Sequence, residues 1–334
     1  MKKMSKFYDW LTSIESANFS NKSALIIGGS EISKQYVLAL MELRVEDITI
    51  IANKGKNISR FCKEKKIKLL AGGFEKNLSN IEKKDLTIIA TPIPNILSAA
   101  KMATKNGQNN ILVEKTGSLY YKELSSAAKL LSKFDIRVGY NRLVYPNFHK
   151  LKKLCEDEGG ITSCRFTFTE RLSKIDFKKN MPDVYRRLGI SNSLHVITMA
   201  FELIGMPKEI HSYQYGSLKW HPSGSVFVGN GQSEQGIPFS YHADWGSGGR
   251  WGIEVNTQEN SYQLIPLEEL FVCKKNKSVW NRVEFNQSFP KIKQGISEEV
   301  AIMLGKNIKF RDKLPSLAKA SKYNKFAEKI FGYN

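Results

Sequence analysis

The feature that most constrains this chain is a regular alternation of apolar runs and amphipathic helical segments between residues 20 and 145. The apolar runs are Ala24–Ile27, Ile48–Ile51, Lys68–Leu70, Leu86–Ala90, Ile111–Val113 and Arg137–Tyr140. Strands that alternate with helices pair in parallel, because each helix returns the chain to the same end of the sheet. The pattern therefore predicts a doubly wound, Rossmann-type α/β sheet.

After about residue 146 the pattern changes to strands of period-2 alternation, separated by Gly, Pro and Ser. The predicted strands are Cys164–Thr169, His211–Trp220, Ser225–Val228, Phe239–Trp245, Gly252–Asn256 and Tyr262–Ile265. The predicted helices are His149–Glu156, Ser193–Ile204, Glu298–Leu304 and Pro315–Phe331. Such alternation is typical of a mostly antiparallel sheet with one open face. We expect a Rossmann domain over residues 1–145, with a leading helix over 1–20, and an α/β substrate-binding and oligomerisation domain over 146–334.

The second sheet also offers a surface for self-association. Aromatic side chains such as Tyr213, Tyr215 and Trp220 are expected to lie exposed on its strands. Exposed aromatic residues on a sheet face are typical of contacts between copies of a protein. We expect this face to border a cofactor cleft or to form a homodimer or homotetramer.

The formal net charge of +19 raises the question of a nucleic-acid partner. Specific nucleic-acid binders usually gather their basic residues on one element together with stacking aromatic residues. Here the lysines are dispersed and often stand beside Asn and Ile, as an AT-rich coding bias would produce. We predict no specific nucleic-acid partner, although the charge can steer an anionic small substrate towards the protein.

Cysteine usage and hydropathy favour a reducing, aqueous compartment. The four cysteines, Cys62, Cys155, Cys164 and Cys273, have neither metal-ligand nor redox spacing. No stretch approaches the ~18 uncharged apolar residues that a membrane span needs, and charged residues interrupt the start of the chain. The sequence predicts a cytoplasmic protein with free thiols, without a membrane segment and without a metal.

The first predicted strand ends in a glycine turn. The turn has the sequence Gly28-Gly29-Ser30-Glu31-Ile32-Ser33. It aligns with the dinucleotide fingerprint G-x-G-x-x-G but keeps only the first glycine. Such turns let a pyrophosphate approach the backbone at a helix N-terminus. Its place in the first βαβ unit favours cofactor binding over an ordinary strand-to-helix turn.

Other candidate cofactor contacts lie at the ends of neighbouring predicted strands, where doubly wound sheets bind ligands. They are Asn53, Lys54, Ala90, Thr91, Pro92, Ile93, Asn95, Glu114 and Lys115. Asn53 stands about where an acid would bind the adenosine ribose, so an amide there removes repulsion towards a 2′-phosphate. Lys54 and Arg60 would add attraction, which keeps NADP open beside NAD. The alternative is that Asn53 only caps a turn.

The order of these segments resembles a known family. The segments are the degenerate glycine turn, Ala90-Thr91-Pro92, Val113-Glu114-Lys115, Tyr140-Asn141-Arg142, and His195 before Gly205-Met206-Pro207. Together they resemble the glucose-fructose oxidoreductase / inositol dehydrogenase (Gfo/Idh/MocA) family over most of the chain. The segments Ala243-Asp244-Trp245-Gly246 and Gly249-Arg250-Trp251-Gly252 look like those of members from nucleotide-sugar and surface-polysaccharide pathways.

The resemblance implies an NAD- or NADP-dependent dehydrogenase or reductase. It would interconvert a secondary hydroxyl and a ketone on a sugar, sugar acid or nucleotide sugar. The family places a lysine beside the nicotinamide and a histidine at the substrate hydroxyl, and these positions match Lys115 and His195. Alcohol oxidation needs a proton acceptor and a nearby cation that stabilises the developing alkoxide. Without the resemblance, His195 would be read as a structural helix residue.

Three positions depart from the family pattern. Ser191 and Thr198 stand where acids usually flank the histidine, and Thr116 replaces the proline after the lysine. A cis bond before a non-proline residue costs about 2.5–4 kcal/mol. The alternative function is a catalytically impaired homologue that acts as a cofactor- or sugar-binding sensor or assembly subunit.

Candidate substrate contacts combine arginines with amides, a hydroxyl and aromatic rings. They are Asn141, Arg142, Arg186, Arg187, Ser191, Asn192, Tyr241, Trp245 and Arg250. Arginine binds carboxylate or phosphate in bidentate fashion, and Trp and Tyr rings stack on sugars or bases. The set predicts a sugar-type, anionic substrate. The alternative is that the arginines pair with acids such as Asp183 or Glu202.

Overall fold

The computed structural model describes residues 17–54, 56–287, 289, 291–305 and 308–333. The predicted leading helix falls on residues 1–20 and so lies almost wholly outside the described residues. The chain forms two compact units. The first comprises Met1–Val144 and Gln287–Ser321, and the second comprises Tyr145–Asn286 and Lys322–Asn334.

The first unit is built on six strands. They are β1 (Ser23–Ile27), β2 (Asp47–Ala52), β3 (Lys68–Ala71), β4 (Leu86–Ile89), β5 (Asn110–Glu114) and β6 (Asp135–Gly139). All neighbours pair in parallel, in the order β3-β2-β1-β4-β5-β6. The helices between them are α1 (Glu31–Glu42), α2 (Lys56–Lys65), α3 (Phe74–Asn77), α4 (Ile93–Lys105) and α5 (Tyr121–Leu130). The predicted Rossmann-type sheet is confirmed.

The core of this unit follows from the apolar runs. The central strand β1 is buried along almost its whole length, and Ile26 lies opposite Ile50 of β2 and Ile88 of β4. A strand covered on both faces is apolar at consecutive positions rather than at alternate ones. On α1, Tyr36 and Leu40 lie on the face that packs into this core.

The second unit begins with α6 (Pro146–Asp157), β7 (Ser163–Phe168) and α7 (Pro182–Arg186). A π-helical turn over Gly189–Ser193 then leads into α8 (Leu194–Ile204). The remaining strands are β8 (Pro207–Tyr215), β9 (Val226–Ser233), β10 (Pro238–Asp244), β11 (Trp251–Asn256), β12 (Asn260–Leu264), β13 (Phe271–Lys274) and β14 (Trp280–Arg282). Their order is β14-β13-β12-β11-β7-β10-β9-β8. Only β7 and β10 pair in parallel, which confirms a mostly antiparallel sheet.

One predicted strand was too long, and two short strands were not predicted. The segment predicted as His211–Trp220 leaves the sheet after Tyr215, because Gly216 has φ +73° and a Cβ there would lie 2.3 Å from Ser225 Oγ. The short strands β13 and β14, at one end of the sheet, were missed because their sequences, mostly half-buried in β13 and exposed in β14, carry little alternation.

The division of the chain also differs from the predicted one at its C-terminal end. After β14 the chain forms α9 (Ile296–Leu304), α10 (Ile308–Arg311) and α11 (Leu317–Phe331). Every residue of α9 is buried, and the helix packs on α1 in the core of the first unit. A helix that is covered on all sides needs such a site. Residues 287–321 therefore group with the first unit rather than with the second.

Candidate functional site

The strand order of the first unit creates a switch point between β1 and β4. From β1 the chain continues to β2 on one side, whereas β4 continues to β5 on the other. Doubly wound sheets bind ligands at the carboxyl ends of the strands at such a point. The candidate cofactor residues follow the carboxyl ends of β1, β2, β4 and β5, so the parallel sheet brings them to one edge.

Gly28 brings the backbone of the glycine turn close to the end of β4. It has φ +143°, and a Cβ at this position would lie 2.3 Å from the carbonyl oxygen of Ala90. Its N–H donates to Ile51 O at 2.8 Å, and the N–H of Ala90 donates to Ile27 O at 2.8 Å. Only glycine fits here, as the fingerprint requires of its first position.

Serines replace the other two glycines of the fingerprint. Ser30 is exposed at the start of α1, and its backbone N–H donates to Oγ of the buried Ser33 at 3.3 Å. Gly29 and Ile32 are half-buried on either side of it. Glu31 is exposed in the first turn, where its carboxylate binds Lys34 Nζ at 2.7 Å. Ser30 and Ser33 thus form a capping box that satisfies their own backbone N–H groups, and the N–H groups of Glu31 and Ile32 are left for a ligand.

Asn53 and Lys54 follow β2 and are both exposed. The carbonyl oxygen of Asn53 accepts the N–H of Gly72 at 2.9 Å. Arg60 on α2 binds Glu64 at 2.8 Å through an exposed (i, i+4) pair, which holds its guanidinium only weakly. These groups are therefore accessible to an anionic ligand at the end of β2.

Thr91 follows β4 and carries a hydroxyl at the same sheet edge. Its Oγ1 is buried yet makes no hydrogen bond in the part of the chain that the structure describes. Pro92 precedes α4, whose first residue is the half-buried Ile93, and Asn95 is exposed in the first turn. A buried hydroxyl that lacks a partner is costly unless a ligand satisfies it.

Glu114 ends β5, and Lys115 follows it; both are half-buried. The Lys115–Thr116 peptide bond is cis. Thr116 is buried, and its Oγ1 donates to Ser118 O at 2.8 Å. Burial raises the pKa of the Glu114 carboxyl, although the hydrogen bond from Tyr36 and the charge of Lys115 act against this shift.

This edge of the first unit fits a dinucleotide. At Gly28 the backbone leaves a space that a Cβ would fill. The buried Thr91 hydroxyl makes no hydrogen bond within the described residues and can bind a ligand. The N-terminus of α1 provides N–H groups suited to a pyrophosphate. Within the described residues, no group of three or more His, Cys, Asp or Glu side chains is arranged to hold a metal ion.

His195 lies in the second unit, in the first turn of α8. Its side chain is buried, with the ring centroid 6.0 Å from that of Trp251. Ser191, which stands where the family pattern has an acid, donates its Oγ to Val184 O at 2.9 Å. Thr198 donates its Oγ1 to the carbonyl oxygen of His195 at 3.1 Å. Both replacements for acids therefore bind the main chain.

A carboxylate nevertheless lies beside the turn that precedes His195. Glu170 follows β7, is buried, and accepts hydrogen bonds from Asn192 Nδ2 at 2.8 Å and Ser193 Oγ at 2.5 Å. Glu170 was not predicted as a site residue, because it lies far from His195 in the chain. Its only sequence signal is its place, an acid at the end of a predicted strand.

Two predicted substrate contacts are core residues instead. Tyr241 stacks on Phe166 at 5.6 Å and donates its hydroxyl to Ser212 Oγ at 2.8 Å. Trp245 is fully buried, and its Nε1 donates to Phe168 O at 3.2 Å. Both rings lie on the covered side of the sheet, so neither presents a face to solvent.

The predicted arginines and Asn141 separate into buried and accessible groups. Arg187 is buried, binds Glu328 Oε1 at 3.0 Å and lies over the ring of Tyr333 at 4.8 Å. Asn141 is also buried, and its Nδ2 donates to Gln294 O at 2.9 Å. These contacts give both a structural role. Arg186 and Arg250 are exposed, whereas Arg142 is half-buried and its Nε is buried.

All four cysteines are free thiols. Burial raises the pKa of Cys155 to about 12 and also raises that of Cys164, so neither is a ready nucleophile. Among the described helices, none has both the length and the apolar character that crossing a membrane requires.

No protein-family model matches this chain, and no curated protein matches its sequence. Solved structures do match its fold. UDP-N-acetylglucosamine 3-dehydrogenase GnnA from Acidithiobacillus ferrooxidans is 12% identical, with a TM-score of 0.71 over 93% of this chain and 97% of that chain.

Two further structures are similar to a comparable extent. Levoglucosan dehydrogenase, solved with NADH and L-sorbose, is 15% identical, with a TM-score of 0.72 over 92% of this chain and 95% of that chain. Biliverdin reductase from Synechocystis sp. PCC 6803, solved with biliverdin and NADP+, is 11% identical, with a TM-score of 0.71 over 93% of this chain and 99% of that chain. At these identities the likeness establishes the fold, and the chain has the fold of these proteins.

Proposed function

We propose that this protein is an NAD(P)-dependent oxidoreductase of the Gfo/Idh/MocA type. The observation that carries the proposal is the switch point of the first sheet, where the glycine turn follows β1 and Thr91 follows the adjacent β4. Dinucleotides bind at this point in doubly wound sheets. Nicotinamide cofactors in the levoglucosan dehydrogenase and biliverdin reductase structures support this choice of ligand.

The reaction we propose interconverts a secondary hydroxyl and a ketone on a sugar, sugar acid or nucleotide sugar. The bound nicotinamide would supply the carbon that accepts or donates the hydride. His195 would take the proton of the hydroxyl, and the ammonium of Lys115 would stabilise the developing alkoxide. Lys115 belongs to the first unit and His195 to the second, and their joint role rests on the family resemblance.

Sugar-type substrates are supported by the names of the similar structures, which include a nucleotide-sugar dehydrogenase and a levoglucosan dehydrogenase. Among the predicted arginines, Arg186 and Arg250 are exposed and can meet an anionic group. Asn53 and Lys54 carry no negative charge at the end of β2, which is compatible with NADP as well as NAD. We further propose self-association through the open face of the second sheet.

The proposal is tested by titrating the protein with NADH and NADPH and following nicotinamide fluorescence. We expect saturable binding of at least one cofactor. Absence of binding of both at millimolar concentration would contradict the proposal. Binding without turnover on any sugar or nucleotide sugar would favour the sensor or assembly subunit, which the replacement of an acid by Ser191 also favours.

Thr91→Val gives a sharper test of the binding edge. Valine keeps the volume but removes the hydroxyl, so cofactor affinity should fall about three- to tenfold. Without cofactor, the variant should be no less stable than the wild type, since this hydroxyl makes no hydrogen bond within the described residues. Thr162→Val, at an exposed site in the second unit, is the matched control and should leave binding unchanged. Equal affinities for Thr91→Val and wild type would place the cofactor elsewhere.

A further inference from the structure

Two carboxyl groups share one phenol inside the first unit. Tyr36 on α1 is fully buried, and its hydroxyl oxygen lies 2.6 Å from Glu114 Oε1 and 2.8 Å from Glu299 Oε1. Glu299 belongs to α9 and is 0% exposed. The three side chains form a continuous hydrogen-bonded network from the core of the unit to Glu114, which is adjacent to Lys115.

The geometry requires a second proton, besides that of the phenol, in the network of Glu299, Tyr36 and Glu114. A phenol has a single proton and can donate to only one carboxylate at a time. Two contacts below 3 Å to the same hydroxyl oxygen therefore require the second carboxyl to be protonated and to donate in turn. Two ionised carboxylates that contact the same buried hydroxyl would also repel each other.

The surroundings place the proton on Glu299. Burial raises the pKa of Glu299 well above its usual range, and the charge of Glu114 raises it further. Burial also raises the pKa of Glu114, but by less than that of Glu299, because the hydrogen bond from Tyr36 and the charges of Lys115 and Lys293 lower it. The backbone N–H of Lys115 also donates to the Glu114 carboxylate.

The charged groups around Glu299 come from several elements. Those that act on it are Tyr36 on α1, Glu114 on β5, Lys293 before α9 and Glu298 on α9. The short helix Asn141–Val144 and α10 also contact α9 and carry Arg142 and Arg311. Arg311 is occupied by Asp135 and the carbonyl oxygen of Met303.

Gly139 leaves room for this arrangement. A Cβ at this position would lie 3.2 Å from Glu299 Oε2 and 3.3 Å from the Tyr36 hydroxyl oxygen. Oε2 of Glu299 makes no hydrogen bond within the described residues. A neutral acid tolerates such an oxygen far better than a carboxylate does.

We propose that Glu299 and Tyr36 are positioning residues for Lys115. Glu299 holds the shared proton and donates it to the Tyr36 hydroxyl, which donates to Glu114. Glu114 therefore faces Lys115 as a carboxylate and favours the ammonium form of the lysine. This inference rests on the proposed function only in giving Lys115 a role at the nicotinamide.

The first experiment locates the proton and needs no cofactor. Infrared spectra at pH 7 should show the carbonyl band of a protonated carboxylic acid in the wild type and in the Glu298→Gln control. The band should be absent in Glu299→Gln. A band that survives Glu299→Gln would overturn the inference.

Stability measurements test the same proton independently. The unfolded chain releases it near pH 4.3 whereas the folded unit keeps it, so the stability contributed by Glu299 falls as the pH rises above that value. Glu299→Gln removes this loss. The Tm of Glu299→Gln should therefore rise relative to that of the wild type, by at least about 4 °C between pH 5 and pH 8. A constant difference over this range would overturn the inference.

The link to Lys115 is tested by competitive acetylation with peptide mass spectrometry. Tyr36→Phe removes the hydrogen bond that Tyr36 donates to Glu114, so the pKa of Glu114 rises, part of the Glu114 population is protonated, and the ammonium of Lys115 is less favoured. Acetylation of Lys115 relative to the exposed Lys63 should rise about fivefold or more at pH 6.5. An unchanged ratio would make Tyr36 and Glu299 structural. If these results hold but NADH and NADPH do not bind, the proposed function fails and the proton chain stands.

Discussion

Glu170 provides a carboxylate where the family resemblance expects an acid at Ser191. Its two oxygens accept hydrogen bonds from Asn192 and Ser193, the last two residues of the turn before the helix of His195. Hydrogen bonds to a buried charged group are stronger than neutral ones. One side chain from the end of β7 thus fixes the start of α8, and Ser191 is left to bind the main chain.

Glu170→Gln should weaken this connection. Glutamine keeps one acceptor oxygen but loses the charge and the second acceptor, at a cost of about 1–3 kcal/mol. We expect a lower Tm and, once a substrate is found, a decrease in kcat with NADH affinity unchanged, because the proposed cofactor residues belong to the first unit. Glu254→Gln, which removes an ion pair with Arg165, is the control and should have little effect. A Glu170→Gln variant with wild-type Tm and kcat would contradict this role.

Single residues were predictable from sequence where the local backbone decides their role. Gly28 and Thr91 follow recognisable strand ends, so their place at the sheet edge follows from the βαβ pattern. Tyr241 and Trp245 were misassigned because alternation shows which residues share a face but not which face packs on helices. Arg187 pairs with Glu328, which is 141 residues away in sequence, and such a pairing leaves no local signal.

The π-helical turn Gly189–Ser193 shows how tertiary contacts shape an element that sequence periodicity does not reveal. Gly189 lies against the ring of Phe331, and its N–H donates to the hydroxyl of Tyr333 at 3.1 Å. The hydroxyl of Tyr333 also contacts Nε2 of His221 at 2.7 Å. Residues near the C-terminus therefore hold the turn that precedes α8. π-helical turns are often found at functional sites.

Gly189→Ala should disturb this turn. The new Cβ would lie 2.4 Å from the ring of Phe331, which is fully buried. We expect a loss of about 1–3 kcal/mol of stability, measured by thermal or denaturant unfolding. Gly248→Ala is the control, because no atom lies within 4 Å of the added Cβ. Equal stability of the two variants would show that the turn adapts easily.

Most elements followed from periodicity, and the exceptions have physical causes. Buried runs predicted the parallel strands, and the apolar helix α8 was recognised with its start within one residue. The strand ending at Tyr215 was overextended because the positive φ of Gly216 cannot be read from a glycine alone. The burial of α9 in the first unit depends on contacts distant in sequence, so the predicted domain assignment of residues 287–321 differed from the structure.

At the scale of the whole molecule, the second sheet has one covered and one open face. On the open face, Tyr213 and Tyr215 of the edge strand β8 are 66% and 80% exposed. They lie opposite Val228 and Val226 of β9, so the four side chains form one apolar patch. The net charge of +19 disfavours nonspecific association between copies, and an exposed apolar patch is the kind of surface that can offset this repulsion.

We expect the protein to form a homodimer or homotetramer through this open face, as measured by light scattering with size-exclusion chromatography. Combining Tyr213→Glu with Tyr215→Glu would bury like charges in a symmetric contact, because the same patch meets itself across a two-fold axis. The double variant should therefore become monomeric and still bind NADH. Leu130→Glu, at a 65% exposed site on α5, is the matched control and should keep the wild-type mass. A monomeric wild-type protein, or a double variant of unchanged mass, would exclude this face as the interface.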